Sequence, residues 1–174
     1  MNKNQTSKES RILAISPSSC GFGYAVMEGK GRLVAYGNMV IKKNKNARVM
    51  LHAEKIIARY QPNVLAIQDV NGKGTHRHLR IKKLHQKVIT LAEKDKIKVL
   101  KLSNRELRNS LLGNVRGTKY EMAEMLAKQF PDQLASRMPK KRKDWTSEDA
   151  RMDSFDAVGL TVALLMRKTP IDHV

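Results

Sequence analysis

The sequence predicts an α/β fold in which a five-stranded mixed sheet carries helices on both faces. Three apolar segments follow one another between residues 11 and 42 with only turn residues between them, a pattern typical of an antiparallel meander. Two later apolar segments, at residues 64–67 and 98–102, alternate with helical patterns. This alternation indicates parallel strands that join the meander through crossover helices.

The first half of the chain contains four of the five predicted strands. A turn rich in serine and glycine separates the strands at 11–15 and 21–28, and a Gly-Lys-Gly hairpin signal precedes the strand at 32–42. Apolar residues at helical spacing then predict a helix over 47–60. The continuous apolar run at 64–67 is typical of a strand that is buried on both faces of a sheet.

The second half of the chain is mainly helical. A long basic helix is predicted over 76–94, ahead of the strand at 98–102. Three capping-box matches predict helix starts, and they are Ser103 with Glu106, Thr118 with Glu121, and Thr146 with Asp149. The third match follows an irregular basic loop at 131–143 and is expected to lead into a helix over 151–168.

The length of 174 residues suits one domain with a core of its own. We expect a flexible leader at 1–10, a single domain at 11–168 and a tail at 169–174. The single cysteine, Cys20, excludes an intramolecular disulfide and a cysteine-based zinc site, and it fits a reducing cytoplasm. No apolar run approaches the ~20 residues that a membrane span needs, so no membrane partner is expected.

The charge balance predicts a polyanionic partner. The chain has 34 Lys and Arg against 16 Asp and Glu, a net charge of +18, and nucleic acid is the commonest ligand of such a protein. Two clusters carry much of this charge, one at Lys73, Arg77, Arg80, Lys82, Lys83 and Lys87, the other at Lys140, Lys141, Arg142 and Lys143. A solvated helical face is the alternative for the first cluster, but such faces normally mix both signs of charge. We therefore expect a cytoplasmic, nucleoid-associated protein that contacts phosphates through both clusters.

Three aspartates near the end of the chain predict a cation site. Asp149, Asp153 and Asp156 are spaced four and three residues apart, so on a continuous helix their carboxylates share one face. Mg²⁺ or Mn²⁺ suits an all-oxygen site of this kind. In the alternative interpretation, Asp149 caps the helix and the other two carboxylates complement its dipole. Trp145 and Tyr120 are candidates for base stacking, although isolated aromatic residues more often pack in the interior.

Three segments resemble the RuvC-type Holliday-junction resolvases of the RNase H-like superfamily. They read RILAISPSSCGFGYAVMEG, YQPNVLAIQDV and MDSFDAVGLTVALL, and they look like that family's opening hairpin, fourth strand and closing helix. The resemblance covers nearly all of residues 11–168. It implies an RNase H-like fold with an antiparallel meander of three strands and two parallel strands, and it implies a homodimer.

The resemblance also implies a site. In the family, four acids hold two metal ions that hydrolyse a phosphodiester. Asp153 and Asp156 match two of these acids, whereas Ser16 and Gln68 stand where the family has Asp and Glu. Asp69 is a candidate third metal ligand, although neighbours on a strand point to opposite faces. Ser16 and Gln68 would then act as neutral ligands or positioning groups.

Three functions follow as hypotheses. The first is an Mg²⁺- or Mn²⁺-dependent endonuclease with a depleted acidic site that acts on branched or duplex DNA. The second is a non-catalytic module that binds the same DNA on a resolvase scaffold. The third is a nuclease of the same superfold that processes RNA.

Overall fold

The computed structural model describes residues 9–72 and 75–167. Its strands are β1 (Arg11–Pro17), β2 (Gly21–Glu28), β3 (Arg32–Val40), β4 (Val64–Gln68) and β5 (Lys98–Leu102). Its helices are α1 (Lys45–Tyr60), α2 (Leu79–Lys94), α3 (Asn104–Leu112), α4 (Lys119–Gln129), α5 (Pro131–Leu134) and α6 (Met152–Met166), with a 3₁₀ turn at Ala135–Arg137. Lys73, Lys168, residues 1–8 of the expected leader and the tail at 169–174 lie outside the described residues.

The five strands form one mixed sheet in the order β3-β2-β1-β4-β5. β1 pairs antiparallel with β2 and parallel with β4, so that Ala14 lies between Ala25 and Ala66. β3 extends the antiparallel side and β5 the parallel side. The predicted meander and the two predicted parallel strands are therefore confirmed.

Helices cover both faces of the sheet, and the alternation of side chains along β1 assigns each residue to a face. Leu13 and Ile15 pack in the core under α1 and α2. Ile12 and Ala14 pack in the core under α3, α4 and α6. Since side chains on a strand alternate, Ser16 continues the row on the α6 face. The same parity in β4 places Gln68 on the α6 face and Asp69 on the opposite side.

α6 approaches the sheet most closely at Gly23 in β2. A Cβ atom at this position would overlap the main-chain carbonyl of Asp153, at the start of α6. Glycine is therefore required at this point, because the first turn of α6 rests directly on the backbone of β2. This contact determines where the main chain of Asp153 lies relative to the ends of β1 and β4.

Four helical segments differ from the sequence prediction, and the smallest difference is in α1, which begins at Lys45 rather than residue 47. α2 begins at Leu79 rather than residue 76, because Arg77 extends to hydrogen-bond Gln68 and His78 is the N-cap residue. The segment 131–143, predicted to be irregular, contains α5 and the 3₁₀ turn. α6 begins at Met152, and the predicted Thr146–Asp149 capping box is wrong. The Thr146 hydroxyl instead donates to the carbonyl of Lys143, and Asp149 accepts from the main chain of Arg151.

In the parts of the chain that the structure describes, no helix is both long enough and apolar enough to cross a membrane.

Candidate functional site

A polar cleft lies at the carboxyl end of β1, against the start of α6. Its main cavity has a volume of about 270 Å³, and a smaller one of about 70 Å³ reaches Gln68 at the end of β4. Ser16, Arg77, Lys119 and Asp156 line both cavities. The carboxyl ends of parallel strands are the usual place for a ligand in such a sheet.

Asp153 is one of the two carboxylates that α6 brings to the cleft, and it is buried. Its Oδ2 accepts a hydrogen bond of 2.6 Å from the hydroxyl of Ser18, in the turn after β1. Burial, together with the nearby Asp156 carboxylate, raises the pKa of Asp153 to about 6, although the Ser18 hydrogen bond opposes the shift. Asp153 is therefore a carboxyl group that titrates close to neutral pH.

Asp156 is paired with Lys119, the first residue of α4. The Lys119 Nζ lies 2.8 Å from Asp156 Oδ2 and 3.2 Å from Glu148 Oε2. Burial alone would lower the pKa of Lys119, but these two carboxylates outweigh it and raise the pKa. The pKa of Asp156 is also raised, by burial, although Lys119 opposes the shift. The cleft therefore contains an ammonium group that stays charged between two acids.

The amide of Gln68 is held between two side chains. Its Nε2 donates to the side-chain oxygen of Asn104, and its Oε1 accepts a hydrogen bond of 2.9 Å from Arg77. Both ends of the amide are satisfied within the protein, which fixes the side chain at the end of β4. Arg77 adds a second positive charge to the wall of the cleft.

A pair of divalent ions does not fit this donor set. Two-metal sites need several carboxylates to compensate the charge of ions ~3.5–4 Å apart. Here two of the four positions are the neutral Ser16 and Gln68, and the ammonium of Lys119 already contacts Asp156. Within residues 9–72 and 75–167, no three His, Cys, Asp or Glu side chains are grouped so that they could hold a metal ion.

The structure brings four of the five residues suggested for catalysis to the cleft and leaves Asp69 outside it. Ser16, Gln68, Asp153 and Asp156 line its cavities. The Asp69 carboxylate instead accepts a hydrogen bond of 3.0 Å from the main chain of Asn71, within its own turn. Its role as a third metal ligand stays a prediction without support from this geometry.

The three-carboxylate helical face predicted from Asp149, Asp153 and Asp156 is wrong. Asp149 lies ahead of α6, and its carboxylate pairs with Arg151 at 2.7 Å on the surface. The prediction assumed that the helix continues back to residue 149. Glu148 points into the cleft instead, where it contacts Lys119.

The first basic cluster is divided by the structure. The predicted stripe of Arg77, Arg80 and Lys83 does not form, because Arg77 precedes α2 and turns into the cleft. Arg80 donates to Asn46 at 2.9 Å and lies 3.4 Å from main-chain oxygens of the turn after β1, so it stabilises that turn. Lys82 is half-buried. Lys83 and Lys87 are exposed along a separate apolar groove between α1 and α2.

The second basic cluster belongs to a segment that we call the basic loop, residues 138–151. It contains four consecutive positive side chains, Lys140, Lys141, Arg142 and Lys143, which are all exposed. The ammonium of Lys141 lies 6.0 Å from the ring centre of Tyr120, the residue after Lys119. The basic loop therefore borders the cleft from the side of α4.

Sequence reasoning missed Ser18, Asn104, Lys119 and Glu148 as cleft residues. The capping box at Thr118 placed Lys119 correctly at the start of α4, but it carries no information about the distant carboxylates that Lys119 meets. Glu148 offered a weak signal, as an acid just ahead of the predicted closing helix.

A known protein family and several solved structures are similar to this chain. The family model described as Crossover junction endodeoxyribonuclease RuvC matches residues 12–139. No curated protein matches the chain. A solved structure of Thermus thermophilus RuvC is similar, with a TM-score of 0.64 and 15% identity over 90% of this chain and 93% of that chain.

Two further solved structures share the fold. One is Thermus thermophilus RuvC in complex with a Holliday junction substrate, with a TM-score of 0.64 and 14% identity over 88% of this chain and 92% of that chain. The other is the yeast mitochondrial Holliday junction resolvase, with a TM-score of 0.55 and 14% identity over 90% of this chain and 78% of that chain. These likenesses confirm the RNase H-like α/β fold that the sequence predicts.

Proposed function

We propose that this chain, which belongs to the RuvC family of crossover junction endodeoxyribonucleases, binds branched or duplex DNA. The residues of its cleft are the reason to expect binding without two-metal hydrolysis. DNA would lie across the cleft and along the basic loop. The non-catalytic DNA-binding module, one of the three hypotheses from the sequence, is thus the function that the geometry supports best.

One observation carries this proposal: the ammonium of Lys119 contacts both Asp156 and Glu148 inside the cleft. A divalent ion at Asp156 would have to displace this ammonium, and it would find neutral side chains at Ser16 and Gln68. The donor set therefore lacks the negative charge that would be needed to hold two metal ions for hydrolysis. A fixed cation compensates the acids instead, and it leaves the cleft compatible with a phosphate backbone.

The basic loop supplies the attraction to DNA. Its positive side chains are exposed, so they can replace the counterions that surround phosphates. The sequence contains no acid between Lys140 and Lys143. Contacts of this kind position a duplex without reading its sequence.

The test compares binding and cleavage with one set of labelled ligands: a four-way DNA junction, a DNA duplex and an RNA duplex of the same sequence. We expect junction and duplex DNA to bind equally well in EDTA and in Mg²⁺ at constant ionic strength, with no cleavage in Mg²⁺ or Mn²⁺. Asp153→Asn, purified in parallel, controls for a contaminating nuclease. Metal-dependent cleavage that Asp153→Asn abolishes would overturn the proposal, and RNA binding without DNA binding would change its substrate.

A single-metal endonuclease is the second candidate, because Asp153, Asp156 and Ser16 line one cavity. It predicts that Mn²⁺ stabilises the parent protein, and that Ser16→Asp with Gln68→Glu enlarges this thermal shift and brings metal-dependent nicking. The matched control makes the same chemical changes at exposed positions, Ser136→Asp with Gln129→Glu. If the cleft variant shows neither a larger thermal shift with Mn²⁺ nor metal-dependent nicking, the four positions do not form a metal site.

A homodimer is part of the proposal for DNA binding, because two copies would present two clefts to one branched ligand. Light scattering of the free protein and of its complex with the junction measures the stoichiometry. A complex that contains one copy per junction would contradict the dimer.

A further inference from the structure

Trp145, at the tip of the basic loop, is the most exposed large hydrophobic residue among the described ones. Its relative exposure is 81%. Tryptophan is usually largely buried, because its ring loses more contact with water on burial than any other side chain. The ring contributes nothing to either core of this protein. Packing, the ordinary explanation for an isolated aromatic residue, therefore does not apply.

A closed turn presents the ring. The main-chain N–H of Thr146 donates to the carbonyl of Lys143 at 3.0 Å, and the Thr146 hydroxyl donates to the same oxygen at 2.9 Å. Trp145 is the third residue of this four-residue turn. Because two hydrogen bonds close the turn, the ring is displayed from a defined backbone, and ordering it on a ligand costs less entropy.

The charges around the ring favour a nucleic acid. The ammonium of Lys143 lies 5.5 Å from the centre of the Trp145 ring, a cation–π arrangement. Lys140, Lys141 and Arg142 precede it, and Asp144 is the one acid between Lys140 and Trp145. A flat aromatic face beside several phosphate-binding cations is the arrangement with which proteins hold single-stranded nucleic acid.

The position along the chain keeps the ring close to the cleft. Glu148, which contacts Lys119 inside the cleft, follows Trp145 by three residues. Three residues span at most about 11 Å when fully extended. On the other side, Lys141 faces Tyr120 at the start of α4. A strand whose phosphates pass the cleft thus comes within reach of the ring.

From these observations we propose that Trp145 stacks on an unpaired nucleobase of DNA bound at the cleft. This inference rests on the proposed DNA binding and adds a preference to it. Every base in a continuous duplex is already stacked on its neighbours, whereas an unpaired base, as at a fork, is free to stack on the indole. Trp145 would therefore favour DNA with unpaired bases over a continuous duplex, without reading sequence.

The experiment uses the fact that Trp145 is the single tryptophan of the chain. Tryptophan emission, excited at a wavelength that tyrosine does not absorb, therefore reports on this ring alone in the full-length protein. The ligands are a forked DNA with unpaired arms and a blunt duplex of the same length. We expect the forked DNA to quench the emission and to protect it from acrylamide, and the blunt duplex to do neither.

Variants of Trp145 test how much stacking contributes to the affinity for DNA. Loss of a stacked base weakens binding about tenfold, so Trp145→Ala should weaken forked-DNA binding by about this factor and leave blunt-duplex binding unchanged. Trp145→Phe keeps a smaller aromatic face and should recover part of the loss. Leu51→Ala, which truncates another exposed apolar residue on α1, is the matched control and should bind forked DNA like the parent.

The failure of this inference differs from the failure of the proposed function. If forked DNA binds but the emission and its acrylamide quenching stay the same, and Trp145→Ala binds like the parent, stacking is overturned and DNA binding stands. The ring would then be free for another macromolecule, such as a protein. If neither DNA binds, the proposed function fails, and the stacking inference fails with it.

Discussion

The floor of the cleft and the basic loop carry their charges in opposite ways. In the cleft, charged and polar groups have partners inside the protein: Lys119 with Asp156 and Glu148, Arg77 with Gln68, and Ser18 with Asp153. In the basic loop, Lys140, Lys141, Arg142 and Lys143 all point to solvent. Paired charges act on stability and on pKa values, whereas exposed charges of one sign act on distant ligands.

This comparison predicts that removing charge from the two regions has different consequences. A change in the cleft should be seen in unfolding experiments and in their pH dependence. A change in the basic loop should leave stability nearly unaltered and reduce the affinity for DNA, most strongly at low salt.

The largest effect is expected when the basic loop loses three charges. Lys140→Ala, Lys141→Ala and Lys143→Ala together should weaken duplex binding about 100-fold at low salt, and should flatten the log–log salt dependence by up to ~2.7, at ~0.9 for each phosphate contact. Fluorescence anisotropy at several salt concentrations measures both quantities.

The matched control for this variant removes three exposed lysines around the start of β5, at the end of the parallel strands away from the cleft: Lys94→Ala, Lys96→Ala and Lys98→Ala. Both variants lose the same net charge, so the control measures the general effect of charge. An equal loss of affinity in both would mean that the basic loop has no special role.

The next largest effect is expected for Asp156→Asn. Because burial raises the pKa of Asp156, this single substitution would mix relief of a buried charge with loss of the ion pair, so it is combined with Lys119→Met in a double-mutant cycle. The coupling free energy between the two side chains should be about 2 kcal/mol at pH 7.5. Urea unfolding measures it. Glu106→Gln breaks a more exposed pair, with Arg167, and should cost less than about 1 kcal/mol. A coupling no larger than that loss would show that the cleft pair is no stronger than a surface ion pair.

The smallest effect, with the opposite sign, is expected for Asp153→Asn. The pKa of Asp153 is raised to about 6, so at pH 7.5 the fold carries a carboxylate that it holds less well than water does. Removing this charge should raise the free energy of unfolding by about 1–2 kcal/mol at pH 7.5, and by much less at pH 4.5, where the folded protein has already protonated the group.

The pH profile sharpens this prediction, because buried His85 in α2 has the opposite linkage. Its pKa is lowered to about 4 by burial, so unfolded chains bind the extra proton between pH 6.5 and 4, and stability falls with acidification over that range. Asp153 binds its extra proton in the folded state between pH 6 and 4, and this offsets the loss. Asp153→Asn should therefore lose stability more steeply on acidification than the parent does. Parallel profiles would contradict the raised pKa of Asp153.

The sheet could be predicted from the sequence because its signals are local. The apolar run at 64–67 predicts β4 directly, and the resemblance to the family predicts that Ser16 and Gln68, at the ends of two strands, belong to the site. The predicted ends are less accurate: β1 continues to Pro17 and the third strand stops at Val40.

The cleft could be predicted only in part, because its electrostatics depend on pairs that are distant in sequence. Nothing near Lys119 distinguishes it from the other basic residues, and its role follows from meeting Asp156 and Glu148 in three dimensions. Arg77 was assigned to a helix because its neighbours suit one. The hydrogen bond to Gln68, which ends the helical pattern, has no counterpart in local propensity.

Gly23 in β2 has a consequence for how this scaffold can change. Because the main chain of Asp153 rests on Gly23, the sheet holds the first turn of α6 in place from below. The basic loop leads into this turn but does not have to support it. Segments of other length and composition could therefore be grafted between Pro139 and Glu148 while Glu148 itself and the rest of the cleft keep their geometry. A glycine far away in sequence thus makes the ligand-facing segment of the protein exchangeable.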